Sequence, residues 1–208
     1  MFRRHHFIAS LVVIGVSTSL SACADDEVAT PRVVIDSQIS PGAGRSNKEC
    51  PETGTWIQIG SFGNPAAGRV DENNPESPLK DPPRPVDDGG EEITLGGRVA
   101  VTCSVIPRED GFDVAATAQL NGAGTASGLL KITGFFKPGQ TNEPIDIIMS
   151  RDGRAYKQAN CKTSFVGPLQ TVAAGRVWAE VECDTSEYEQ GQRTCNTKAQ
   201  FRFENCGQ

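Results

Sequence analysis

Arg176-Val177-Trp178-Ala179-Glu180-Val181-Glu182-Cys183 and Cys195-Asn196-Thr197-Lys198-Ala199-Gln200-Phe201-Arg202-Phe203-Glu204 decide the fold class. Val177, Ala179, Val181 and Cys183 alternate with Trp178, Glu180 and Glu182. Cys195, Thr197, Ala199, Phe201 and Phe203 alternate with Asn196, Lys198, Gln200, Arg202 and Glu204. A period of two is the pattern of a strand with one face in a core and one in water. A polar stretch, residues 184–194, separates the two rows and reads as the loop of an antiparallel hairpin. In that hairpin Cys183 and Cys195 stand at facing ends, within cross-strand reach. The spacing therefore predicts a Cys183–Cys195 disulfide, whose small loop would contribute on the order of 3 kcal/mol.

The same alternation recurs upstream. Val99, Val101, Cys103 and Val105 form one row, and Phe112, Val114, Ala116, Ala118 and Leu120 the next, ended by the hairpin signal Asn121-Gly122. Gly128, Leu130, Ile132 and Phe136 follow, then Ile145, Ile147 and Met149, then Ala159, Cys161, Thr163 and Phe165. Residues 55–62, with Trp56, Ile57 and Ile59, make an earlier strand. No helical periodicity of useful length appears. Seven or eight short antiparallel strands predict an all-β domain, a disulfide-stapled β-sandwich, with a small closed barrel as the alternative. The charged outward rows speak against a transmembrane barrel.

Residues 63–92 are dense in proline, glycine and acidic side chains and read as a disordered or extended surface loop. Pro82-Pro83-Arg84-Pro85 within it suits polyproline II. Residues 23–49 are mostly polar and read as a flexible tether, with Val33, Val34 and Ile35 as an apolar patch in an extended spacer or an edge strand. The single β domain then spans 50–208.

The N-terminus is a leader. Arg3 and Arg4 precede an apolar run over residues 7–16, too short for the roughly 20 residues of a membrane span. Leu20-Ser21-Ala22-Cys23 resembles the lipobox of bacterial lipoproteins. That resemblance implies removal of residues 1–22 and acylation of Cys23, giving a palmitate-type anchor. Each buried CH₂ contributes about 0.8 kcal/mol, so two or more acyl chains hold stably where one does not. Ala24 rather than Asp follows Cys23, which points to the outer membrane rather than the inner, with the domain in the periplasm or on the cell surface. Arg176-Val177-Trp178-Ala179 with Cys183, and Phe203-Glu204-Asn205-Cys206, are loosely similar to small cysteine-containing β lipoproteins of proteobacteria, and no activity follows from that likeness.

Seven cysteines are present, and Cys23 leaves six: Cys50, Cys103, Cys161, Cys183, Cys195 and Cys206. In an exported chain these predict three disulfides. With Cys183–Cys195 assigned, Cys50–Cys103 and Cys161–Cys206 complete one of the possible sets.

Composition narrows the function. The chain carries 20 basic and 26 acidic residues, and loss of Arg3 and Arg4 leaves 18 against 26, or −8. Nucleic acid, which requires a basic footprint, is not an expected partner. Both histidines, His5 and His6, lie in the leader, so the processed protein has no Ser-His-Asp or Cys-His nucleophile and no histidine for a metal. Apart from lipid on Cys23, no cofactor or metal is expected. Trp56 and Trp178 stand out of phase with the aliphatic rows and are candidates to stack on a sugar or anchor a partner from an exposed sheet face. Glu180 and Glu182 share a face and are the candidate carboxylate pair. The acidic runs 71–76, 87–92 and 184–189 match no calcium loop. The expectation is a membrane-anchored envelope lipoprotein, non-enzymatic, whose partners are the bilayer through its acyl chains and an envelope protein or glycan. A carbohydrate- or small-ligand-binding module is the alternative, and a histidine-free carboxylate hydrolase the second.

Overall fold

The computed structural model describes residues 29–42, 45–63, 83–92, 96–122, 127–141, 144–167 and 169–207. Cys23 and the leader lie outside the described residues, as do most of residues 63–92 and the first acidic run. Every described element is a strand: β1 Arg32–Ser40, β2 Gly54–Ile59, β3 Val86–Asp87, β4 Arg98–Arg108, β5 Gly111–Asn121, β6 Gly128–Phe136, β7 Ile145–Arg151, β8 Arg154–Ser164, β9 Thr171–Ala173, β10 Arg176–Tyr188 and β11 Thr194–Glu204.

They form one antiparallel sheet in the order β2-β1-β11-β10-β8-β7-β6-β5-β4, with β3 also pairing with β1 and β9 with β10. The all-β expectation holds in its barrel form, as a single nearly closed sheet of eleven strands rather than two stacked sheets of seven or eight. Neighbours in sequence pair from β4 to β8, so nothing divides the sheet into halves. The free edge of β4 is taken up by short segments. Gly89 donates to the Val99 carbonyl and Val99 donates to that of Gly90. Val105 donates to the Gly207 carbonyl, Gly207 to that of Cys103, and Gly175 to that of Val105. Closure leaves few unpaired edges, which removes a template for aggregation.

The inward rows are those read from the alternation. Val177, Ala179, Val181, Phe201 and Phe203 are buried with Leu130, Ile132, Phe136, Ile145 and Ile147. Phe136 meets Phe201 edge-on with centroids 6.3 Å apart. One end of the barrel is plugged by Trp56, Tyr156 and Tyr188. Tyr156 lies 5.8 Å from Trp56 and 5.3 Å from Tyr188.

The disulfide pairing expected from the hairpin is corrected. The bonds are Cys50–Cys195, Cys103–Cys206 and Cys161–Cys183. Residues 184–194 are not all loop, because β10 runs on to Tyr188 and β11 begins at Thr194. Cys183 stands opposite Thr197 and Ser186 opposite Cys195, so β10 carries an extra residue between them. The ladder already pairs Cys183 with Thr197 before this bulge begins, two residues away from Cys195. Cys183 instead meets Cys161 on its other neighbour, where the β8 register places the two side by side.

The tether is also corrected. Residues 32–40 are β1, which lies between β11 and β2 and buries Val33, Val34, Ile35, Ser37 and Ile39. Part of the surface loop is ordered as well. Val86 and Asp87 pair with β1, Asp88 Oδ1 accepts from the Val101 amide at 2.8 Å, and buried Glu92 accepts from the Gly60 amide at 2.6 Å. Gly60, at φ 65°, passes so close to the Arg84 carbonyl oxygen that a Cβ there would overlap it. Gly60→Ala is expected to cost about 1–3 kcal/mol, since strained φ and steric overlap act together. A chemical-denaturation midpoint unchanged from the parent would show that this contact does not order the segment.

Candidate functional site

Antiparallel registry sets the outward residues of β1, β11, β10 and β8 in rows. Val34, Arg202 and Trp178 form the first. Asp36, Gln200, Glu180 and Ser164 form the second. Gln38, Lys198, Glu182 and Lys162 form the third. The second and third rows, with Thr141 from the β6–β7 connection, line an open groove of about 470 Å³. Beyond Glu182 and Lys198 a further hollow is lined by Ser40, Gly42, Arg45, Asp184 and Asn196. Toward the other end, Leu169, Thr171, Arg176, Trp178, Arg202 and Glu204 line a hollow of about 260 Å³.

Most charges on this face are matched in place. Lys198 Nζ lies 2.9 Å from Glu182, Lys162 Nζ 3.4 Å from Asp184, and Gln170 Nε2 donates to Glu180 at 3.3 Å. The hydrogen bond from Lys198 holds the Glu182 carboxyl below its ordinary pKa, against a smaller opposing effect of burial. Burial likewise pushes Glu204 up, but Arg202 and Arg32 outweigh it, and its carboxyl sits below the usual value.

Asp36 is the exception. Among the described residues no cation or hydrogen-bond donor meets its carboxylate, and burial raises its pKa. Gln200 stands beside it on β11 and Gln38 lies two residues along β1, neither amide engaged by another described side chain. A half-desolvated carboxylate without a partner costs stability, which marks Asp36 as held for something other than the fold. Its alternation with Ser37 and Ile39 was the signal available in the sequence, hidden by the reading of this segment as tether.

The sequence candidates are dispersed. Trp178 is half-buried in the first row, where it stacks on Phe62 at 5.9 Å and carries the Arg202 guanidinium 5.0 Å from its ring. It is covered rather than open. Trp56 is not on an exposed face at all, because only 5% of it is accessible. Trp56 and Ile57 together oppose Ser37, a bulge in β2 that turns both inward, and the Ser37 hydroxyl accepts from the Ile57 amide at 2.8 Å and donates to its carbonyl. Arg154 caps the Trp56 ring at 5.2 Å. Glu180 and Glu182 do both face the groove. Asp88 and Glu92 of the second acidic run bind backbone amides, and Glu92 is buried in doing so. The six described cysteines are all in disulfides.

In comparisons with known proteins, no family model, no curated protein and no solved structure matches this chain, so its own geometry carries the functional reading.

Proposed function

We propose that this protein is a lipid-anchored lipoprotein of the cell envelope that binds a neutral, hydroxyl-rich chain, a glycan, along the outer face of β8, β10, β11 and β1. Acyl chains on Cys23 hold it to the membrane, the outer one on the Ala24 argument. The observation that carries the reading is Asp36, a carboxylate with no partner among the described residues, in a groove beside the amides of Gln38 and Gln200. Carboxylate and amide side chains accept and donate in the bidentate geometry that adjacent sugar hydroxyls present. The in-place neutralisation of Lys198 and Lys162 leaves no free cationic row for an acidic polymer among the described residues of this groove. The net charge, −6 for the full chain and −8 once residues 1–22 are removed, disfavours one further.

Asp36→Asn tests this with two readouts of opposite sign. The folded pKa of Asp36 lies above its unfolded value, so the charged form opposes folding. That penalty is present above the folded pKa and disappears as pH falls through it. The asparagine variant is therefore expected to melt higher than the parent at pH 7 and equally at low pH. Its affinity for a cell-envelope polysaccharide captured by the parent is expected to fall about tenfold, or about 1.4 kcal/mol. Unchanged affinity, or a lower melting temperature at pH 7, would remove Asp36 from the site.

Hydrolysis is the second reading, favoured by the opposite displacements of the Asp36 and Glu182 carboxyls in one groove. New reducing ends released from the bound glycan by the parent and not by Asp36→Asn would establish it.

A further inference from the structure

We propose that the barrel end where the chain enters, at Thr30, rests on the bilayer surface through the exposed apolar side chains of Val166, Leu169 and Ile106. This rests on the reading of Cys23 as the lipid anchor and adds to it an orientation. The described chain is already pinned at Thr30, whose carbonyl accepts from Asn205 Nδ2 at 2.9 Å, and at Pro31, whose carbonyl accepts from the Asp88 amide at 2.8 Å. A link from Cys23 to Thr30 spans at most about 25 Å when fully extended. With residues 32–40 built into the sheet, the spacer is a fraction of the length the sequence suggested, and the entry end stays close to the lipid.

That end is also where apolar surface is exposed. Among the described residues the large exposed hydrophobics are Val166 at 69%, Leu169 at 64% and Ile106 at 46%. Val166 and Leu169 lie in the β8–β9 connection. Ile106 follows Val105, which is bonded to Gly175 and Gly207 at the same end. β1 starts, β11 finishes and β10 starts there. The opposite end, with the β7–β8 and β10–β11 turns, carries no exposed large hydrophobic among the described residues, and Arg154 is paired there with Glu52 at 2.7 Å. Apolar side chains at one end of a tethered domain suit the headgroup boundary, where they shed water without crossing the membrane. Arg176, exposed in the hollow that Leu169 lines, is placed to reach a lipid phosphate. Lys137 faces Asp110 and Arg108 faces Asp113, so apart from Arg176 the contact is apolar and weakens little with salt.

The two tryptophans report on the two ends. Trp178 lines the hollow with Leu169 and Arg176, whereas Trp56 packs beside Tyr156 and Arg154 at the far end. The test uses the full-length lipidated protein in phosphatidylcholine vesicles carrying a dansyl headgroup acceptor. Energy transfer from Trp178, measured in Trp56→Phe, is expected to exceed transfer from Trp56, measured in Trp178→Phe, at least twofold, in low and high salt alike. Should Trp56→Phe fail to fold, loss of most of the transfer on Trp178→Phe in otherwise native protein gives the same answer. The double variant Val166→Glu with Leu169→Glu is expected to float with the vesicles while its transfer from Trp178 drops to the level of Trp56. Equal transfer from both tryptophans overturns the orientation and leaves the anchor standing. A double variant that turns a detergent-solubilised dimer into a monomer assigns the patch to a second copy and overturns it too. Parent protein that does not float, or Cys23→Ser that floats equally well, removes the anchor and the orientation with it.

Discussion

Replacing Cys103 and Cys206 together with serine is expected to destabilise the domain by about 4 kcal/mol, a large part of the 5–15 kcal/mol of a typical domain. The bond joins residues 103 apart in sequence, and Cys103 lies on β4, the last strand of the sheet. Among the described residues, the edge of β4 is held near this point by the amides of Val105, Gly207 and Gly175. Those bonds are few, and without the sulfur bridge the C-terminal segment must find them against the entropy of a long open loop. Cys161–Cys183 is the control. It spans 22 residues and links β8 to β10, strands already joined by a ladder. The loop-entropy estimate for it is about 3 kcal/mol, and its removal leaves no seam to open. Urea midpoints of the two double variants should therefore rank Cys103/Cys206 below Cys161/Cys183. Amide exchange at Val105 and Gly207 should accelerate only in the first. The reverse ranking would mean that the barrel closes without its staple.

The strands of this fold were legible because a half-buried sheet writes its two faces into alternate residues. Val177 to Cys183 and Cys195 to Phe203 point inward as their alternation requires. Which strand lies next to which was not written there. Alternation names a face, not a neighbour or a register, and the ladder that sets Cys183 opposite Thr197 rather than Cys195 left its mate to be found on β8. The bulge in β2 turned Trp56, a residue of the outward phase, into the core. Barrel closure was the least visible feature, since it depends on Gly207 meeting Cys103 and Gly89 meeting Val99, contacts with no local pattern. The candidate site was half legible. Glu180, Glu182, Lys198 and Gln200 were correctly set on an outward face. Their partner Asp36 was not, because Val33-Val34-Ile35 is apolar on both phases and sits between polar, proline-containing stretches. Val34 faces outward yet is fully buried, which is why the period of two is blurred where β1 begins.

A chain beginning at Cys50, which the tether reading would take as the whole domain, is expected not to fold. Such a fragment lacks β1, the strand that joins β2 and β3 to β11. All nine residues of β1 are in register with β11, from Arg32 opposite Glu204 to Ser40 opposite Asn196. On its other side β1 pairs with both β2 and β3. Val33, Val34, Ile35 and Ile39 are each at most 1% exposed, and full burial of such side chains contributes about 1.5–3 kcal/mol apiece. Their sum alone rivals the net stability of an ordinary domain. The loss is worse than additive, because β11 and β2 become open edges that invite pairing between molecules. The fragment 50–208 should show no cooperative unfolding and should aggregate. By contrast, removal of residues 24–28 should leave the melting temperature unchanged. A synthetic peptide of residues 29–42 should restore soluble, cooperatively folded fragment in trans, since an extended segment can add to an open sheet edge by main-chain hydrogen bonds. The same peptide with Asp36→Asn should rescue folding equally well or better, and lower the glycan affinity of the refolded complex about tenfold. That split would separate what β1 does for the barrel, through its inward row, from what it does for the groove, through one outward carboxylate. A soluble, cooperatively melting 50–208 fragment that retains glycan binding would show that neither the barrel nor the groove needs β1.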